Sequence, residues 1–399
     1  MKKKTFIGIV IASCVIVLSA CSFSEEKSGK ETNLVDKTQA ATKVETKETD
    51  NREEKDSNHI SKDLSETFKI DADVVAPESA KIDTLMAKYT RIDEKKTVQL
   101  LFKDGVPNKE VTEDNSVLYT DKETIMNSMT NAMTFEKEEY KVLQYVTDGF
   151  SMENEVISAL PKFGNVFKKE NLDFMSREDA LKTVREFCEE LSIDTAEQAE
   201  IYALDSENLQ KCQEERKKEE IEIMKNSGVD PSEEVGFGYS LKDKFSKDDE
   251  CYLIVLSIME DKLPLTQKSY EIMEADRSME GGKVVVYLSD KGIISAEIDG
   301  LYQITGTDTE TSKTIIPVED AIQRLYEIEN ETLSTDRVEV AKISLEYVPV
   351  PYNDNYDEVK LVPAWCFLNK YNYDDGEKNN DFSIERVVSI NAITGEEIK

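Results

Sequence analysis

The chain is 399 residues long with a formal net charge of −33, and 33% of its residues are charged and 39% hydrophobic. That much negative charge repels nucleic acid and anionic lipid headgroups, and excludes both as partners held by charge. The hydrophobic share is enough to build a core, and about 330 residues beyond the N-terminal region are the length of two domains.

The first element is a targeting signal. Lys2, Lys3 and Lys4 precede an apolar run from Phe6 to Leu18 and then Leu18-Ser19-Ala20-Cys21, the three-part layout of an export signal. The run is too short to span a bilayer comfortably. Its ending on cysteine resembles a bacterial lipoprotein signal, which implies that the Cys21 thiol takes a diacylglyceryl group and becomes the mature N-terminus. Two acyl chains hold a protein on a membrane where one is marginal. Residues 1–21 are expected to be a signal peptide, and the protein to sit lipid-anchored on the extracytoplasmic face of the cell membrane. Cleavage removes three of the 50 basic residues and none of the 83 acids, leaving 47 − 83 = −36. Residues 22–65, rich in Glu, Lys, Thr, Ser and Asp, are expected to be a disordered tether, because burial in such a stretch cannot offset its ordering entropy. Its r.m.s. reach is about 35 Å. His59, the only histidine in the chain, falls inside this stretch.

From residue 66 the pattern is globular. "KTVQLLF" (96–102), "SVLYT" (116–120) and "YKVLQYVT" (140–147) have the β-branched and aromatic enrichment of strands, and a helix is predicted from about Asp121 to Met133. These elements make an N-terminal α+β domain, 66–175. A C-terminal domain, 176–399, opens with a helix over 176–191, where Ser176 and Asp179 form a capping box and Ala180, Leu181, Val184, Phe187, Cys188 and Leu191 share a face. A helix over 206–226 follows, its acids and bases paired along the surface as Glu214 with Lys218. The Gly- and Pro-containing loop after it matches neither a dinucleotide nor a phosphate loop. Strands at 251–258, 283–289, 292–298 and 301–305 succeed one another at hairpin spacing, with Asp290-Lys291-Gly292 and Asp299-Gly300 as turns, which predicts antiparallel pairing. A helix over 316–330 carries the stripe Ala321, Ile322, Leu325 and Ile328. Three long strands, "RVEVAKISLEYVPV", "EVKLVPAWCFLNKY" and "IERVVSINAIT", close the chain. The expected fold class is α+β, with antiparallel sheets each backed by helices, in two modules after the tether. The similar helix starts Glu178-Asp179-Ala180-Leu181 and Glu319-Asp320-Ala321-Ile322 raise the question of a degenerate internal repeat.

Trp365, the only tryptophan, sits in "KLVPAWCFLNKY" (360–371), where both strand faces are apolar. That pattern marks a buried strand and makes Trp365 a core residue, while Pro363 points to an edge position or a bulge. Cys188, Cys212, Cys251 and Cys366 contain no C-x-x-C, so neither a zinc knuckle nor a thioredoxin-type motif is present. They are expected to be buried free thiols, with two disulfides as the alternative. With His59 the sole histidine, no His-based triad or zinc site can be assembled, and there is no G-x-S-x-G. No catalytic, cofactor-binding or metal residue is assigned, and no cofactor is expected. "YNDNYDE" (352–358) and "NYDDGEKNND" (372–381) read as polar loops. The second fails as an EF-hand because Tyr371 and Tyr373 stand where carboxylates must be.

A helix opened by an acidic pair and alanine, followed by strands running through "LVPAWCF" to "SINAITGEEI", resembles the PepSY-like modules of exported Gram-positive proteins and the repeat of YycH/YycI-type regulatory proteins. The resemblance covers 176–399. It implies an extracytoplasmic protein that contacts and restrains another, such as a peptidase or a sensor kinase. YycH/YycI-type proteins carry a transmembrane helix where this chain has a lipid signal. The expected function is a non-catalytic, lipid-anchored interaction or regulatory module whose partner is another extracytoplasmic protein. The alternative is a solute-binding lipoprotein of an import system, a class built from βα units with parallel sheets rather than hairpins.

Overall fold

The computed structural model describes residues 58–399 except 78–80, 104, 123, 152–164, 229–235, 237–238, 240, 273–276, 309–313, 332–336, 353–357 and 374–381. The signal, Cys21 and the tether up to residue 57 lie outside the described residues. In chain order the elements are β1 (His59–Asp63), β2 (Phe68–Val75), β3 (Thr84–Tyr89), α1 (Glu94–Leu101), β4 (Asn108–Val111), β5 (Val117–Asp121), β6 (Thr124–Ser128), β7 (Ala132–Glu136) and α2 (Glu138–Ser151). There follow α3 (Arg177–Glu190), β8 (Thr195–Leu204), α4 (Ser206–Asn226), β9 (Cys251–Glu260), β10 (Leu263–Pro264), β11 (Tyr270–Ile272), β12 (Arg277–Met279), β13 (Lys283–Ser289), β14 (Gly292–Asp299) and β15 (Tyr302–Asp308). The chain ends with α5 (Val318–Glu331), β16 (Arg337–Pro351), β17 (Glu358–Tyr373), β18 (Phe382–Asn391) and β19 (Glu397–Ile398).

Three stretches fold otherwise than predicted. Residues 96–101 belong to α1 and Phe102 caps its end; Asp93 caps its start by accepting from Lys96 N at 3.0 Å, with Glu94 at the positive end of the dipole. Residues 140–147 lie in α2, opened by Glu138 and Glu139. The predicted helix over 121–133 is instead the strand pair β6 and β7, with Lys122 at φ 50° in the turn ahead of β6 and Asn131 at φ 138° in the turn between the two. Short apolar runs carry too little period to separate strand from helix.

The tether also ends sooner than its composition implied. Residues 59–63 form β1, antiparallel to β2 from His59 opposite Asp73 to Asp63 opposite Lys69. Alternation in β2 buries Phe68, Ile70 and Ala72 and exposes Lys69, Asp71 and Asp73. That burial fixes β2, and its ladder then holds a polar strand that could not order alone.

Eight strands form one sheet in the order β1-β2-β16-β17-β18-β19, with β3 beside β17 and β15 beside β3. Nine form another, β10-β9-β13-β14-β7-β6-β5-β4, with β8 beside β9. The strands pair antiparallel apart from β2 with β16. The expected hairpin between β14 and β15 does not form, because β15 leaves for β3. Gly300 makes the departure, at φ +71° and with a Cβ position only 2.5 Å from Gly281 O, a place no other residue fits. Strands from 66–175 pair with strands from 176–399 in both sheets, β2 and β3 with β16 and β17, and β7 with β14. The boundary expected at 175/176 thus runs through both sheets, and Lys55–Lys399 forms one compact unit.

The main core lies where α3 packs Ala180, Val184, Phe187 and Cys188 with Tyr252, Ile254, Val284 and Val286 of the nine-stranded sheet, and continues to Ile343, Leu345 and Trp365 of the other. A second core sets Leu143 and Val146 of α2 and Leu209 and Cys212 of α4 among Leu253, Val255, Val285 and Tyr287. Strands β9 and β13 are therefore covered on both faces, which is why "CYLIVLSI" and "KVVVYLS" are continuously apolar. Thr266 N donates to Tyr347 O at 2.9 Å and ties the two sheets together. Each of the two similar helix starts leads into an antiparallel run, α3 into β8-β9-β13-β14 and α5 into β16-β17-β18.

Candidate functional site

Trp365 is 5% exposed, opposite Leu345 on β16 and Ile390 on β18. Its Nε1–H donates to Ile316 O at 3.0 Å, just ahead of α5, so the ring is a core element with its one polar group satisfied. Pro363 does not lie on an edge strand as expected, since β17 runs through the middle of its sheet. One flank of β17 is β16 throughout; on the other, β3 pairs as far as Leu361 and β18 takes over at Ala364. Pro363 accepts from Ala392 N at 2.8 Å on that second flank. Its missing N–H therefore falls at the handover between two neighbours, where no strand asks for it.

Cys366 points to the opposite face of β17, with Ser344 and Ser389 beside it in the register. Its Sγ is 3.3 Å from Ser389 Oγ, which is 2.6 Å from Tyr270 OH. A polar cavity of about 40 Å³ lies here between Lys342, Ser344, Glu346, Thr266 and Gln267, room for roughly two or three waters. Burial, and then the Glu346 charge, push the Cys366 thiol far above its ordinary value. The other three cysteines are likewise free and buried, with burial raising Cys188 to about 12 and Cys212 to about 11. Thiols kept protonated in this way are not nucleophiles.

A cluster that the sequence reading missed lies on β13 and β14. Glu297 and Asp299 alternate with buried Ala296 and Ile298, so both carboxyls stand on the same face. Lys283, opposite Asp299 in the register, brings Nζ to 2.8 Å from Glu297 and 3.4 Å from Asp299. Burial, followed by the Glu297 charge, raises Asp299 to about 8, while the Lys283 ammonium overrides burial and holds Glu297 below its usual range. Near neutral pH the cluster holds an ammonium, a carboxylate and a carboxylic acid. Counting the hairpin register back from Gly292 does not find it, because a shift of one residue at Tyr287/Leu288 moves Lys283 from Ile298 to Asp299. None of the three lines the cavity above or the cleft below.

The larger cavity is an open cleft of about 460 Å³ between the start of α2, the β13–β14 turn and residues 242–249. Its charges are Glu138, Glu139, Lys242, Asp248, Asp249 and Lys291. Most are already matched: Lys242 with Asp249, Lys291 with Glu139 at 3.9 Å, and Glu138 with Lys141 at 2.6 Å. The volume suits a small solute, but five of the six charges lining it are already paired.

His59 lies on β1 rather than in a tether. Its Nδ1 is 2.7 Å from Asp73 and its Nε2 2.9 Å from Asp71. These hydrogen bonds, Asp73 first, raise its pKa above the usual 6.5, because only the imidazolium donates from both nitrogens. Among the described residues no three or more His, Cys, Asp or Glu stand where they could hold a metal ion, and no helix is long and apolar enough to cross a membrane. The acidic stretches 352–358 and 372–381 lie mostly outside the described residues.

No family model and no curated protein matches the chain. Among solved structures, its fold is similar to that of an uncharacterized protein from Eubacterium rectale ATCC 33656, with a TM-score of 0.64 and 16% sequence identity over 86% of this chain and 93% of that one. At this identity the likeness shows the fold, α+β with two largely antiparallel sheets, and the fold alone.

Proposed function

We propose that the protein is a lipid-anchored extracytoplasmic module that contacts and restrains another exported protein at the cell surface, without a reaction of its own. The observation that carries this reading is the series Lys2-Lys3-Lys4, Phe6 to Leu18 and Leu18-Ser19-Ala20-Cys21, in which every part needed for export and acylation occurs in order. The PepSY-like pattern over 176–399 supports a role in protein contact. The side chains with chemical potential are engaged with neighbours: the thiols are buried, His59 is clasped by two carboxylates, and Asp299 shares its cluster with Glu297 and Lys283.

The second reading, solute binding for import, has the cleft of about 460 Å³ in its favour. The antiparallel runs β8-β9-β13-β14 and β16-β17-β18 weigh against it, since that class is built from parallel βα units. The test is to express the full chain and Cys21→Ala in a Gram-positive host fed a clickable fatty acid, then to fractionate the cells. Wild type should be labelled and sediment with membranes, and the variant should be unlabelled and released. Equal label and equal sedimentation would refute the anchor.

A further inference from the structure

Open strand edges invite pairing with other chains, and proteins normally blunt them with charge or proline. The open-edged strands here follow that rule: β1 carries His59, Lys62 and Asp63, β4 carries Lys109 and Glu110, β8 carries Glu197 and Glu200, and β18 carries Glu385 and Arg386. Strand β15 does not. Among the described residues it pairs with β3 alone. Gln303, Ile304, Thr305, Gly306 and Thr307 are all exposed and uncharged, in a chain of which 33% is charged. The strand's one charge, Asp308, stands at its end and is paired with Lys360 at 2.8 Å.

Backbone geometry makes this edge available. Thr90 N donates to Leu301 O at 3.0 Å, which makes 301 and 303 the positions bonded towards β3 and turns the N–H and C=O of Ile304 outward. Ile304 is also 38% exposed, so an added strand would gain a side-chain contact along with main-chain hydrogen bonds.

We propose that β15 is a docking edge on which an extended, cationic segment of a partner protein adds as a further strand. This deepens the interaction reading and rests on it. Charge selects the occupant: a second copy would bring −33 against −33, and an anionic segment would be repelled likewise, whereas a basic segment is drawn in and meets no positive charge on β15 to obstruct pairing.

The test uses the full chain and a short labelled peptide of alternating valine and lysine, with a valine–glutamate peptide as control. Fluorescence anisotropy should show saturable binding of the lysine peptide only, and hydrogen–deuterium exchange should slow at residues 302–308. Ile304→Pro removes an outward N–H while leaving the bonds to β3, and should weaken binding about tenfold or more. Thr307→Pro serves if that variant unfolds. Absent binding, binding indifferent to both prolines, or protection elsewhere would overturn the proposal, as would sedimentation showing a dimer abolished by Ile304→Pro, which would make a second copy the occupant. Partners captured equally by wild type and Ile304→Pro in cells would defeat the edge and leave the interaction reading standing. No partner captured by wild type would defeat that reading itself.

Discussion

Asp299 and His59 both hold raised pKa values, and both therefore favour the folded state at the lower end of their range. A carboxyl raised to about 8 binds a proton more tightly when folded, so its contribution is fully present below the unfolded value near 4 and is lost as pH rises through about 8. Asp299→Asn mimics the protonated acid. In urea titrations it should be more stable than wild type at pH 9, with the gap closing as pH falls below 8; parallel pH profiles would contradict the assignment. His59 contributes below 6.5 and loses that contribution as pH rises through its raised value. Because it is the chain's only imidazole, one proton resonance reports it, and Asp73→Asn should move its midpoint down towards 6.5. An unmoved midpoint would mean that the clasp is absent in solution. Trp365 was legible from sequence as core, since apolar residues on both faces of a strand admit little else. Its hydrogen-bond partner Ile316 was not, because 49 positions separate the two. Emission should be blue-shifted when folded, and Trp365→Ala should cost about 3–5 kcal/mol, read from the same urea titrations.

At the scale of elements, long amphipathic patterns were read correctly and short ones were not. Helix α3 announced itself by its cap and its apolar face and α4 by charges paired along its surface, whereas α1 and α2 offered brief apolar runs that resemble strands. The discriminating signals were local charges: Asp93 ahead of α1, and Glu138 with Glu139 at the head of α2. Strands β6 and β7 were hidden for the opposite reason, as their Met, Ala and Glu favour helix and only pairing with β5 and β14 makes them strands. Asp93→Ala should destabilise by about 1 kcal/mol through loss of the cap. The turn to β15 allows a sharper comparison. Gly292, at φ +93° with open space around it, should tolerate alanine at a cost of about 1 kcal/mol, but Gly300 meets the Gly281 backbone as well. Gly300→Ala should cost clearly more, and equal midpoints for the two variants would contradict the close approach.

Over the whole molecule, the sequence conveyed the α+β class and the antiparallel preference but not the weave. The parallel pairing of β2 with β16 joins residues some 270 positions apart, as Phe68 with Val338, and no local pattern encodes such a partner. The same weave explains why 66–175 and 176–399 share their sheets. On the proposed reading, function at this scale rests on where the chain is held and on what its surface offers to another protein; neither of the two cavities is lined by the buried ionisable cluster. The most direct test is covalent crosslinking in intact Gram-positive cells expressing wild type or Cys21→Ala, followed by identification of the adducts. The expected result is the same one or few exported proteins recovered with wild type and lost when the anchor is removed. Recovery of no protein, or solely of an import permease, would contradict an anchored interaction module.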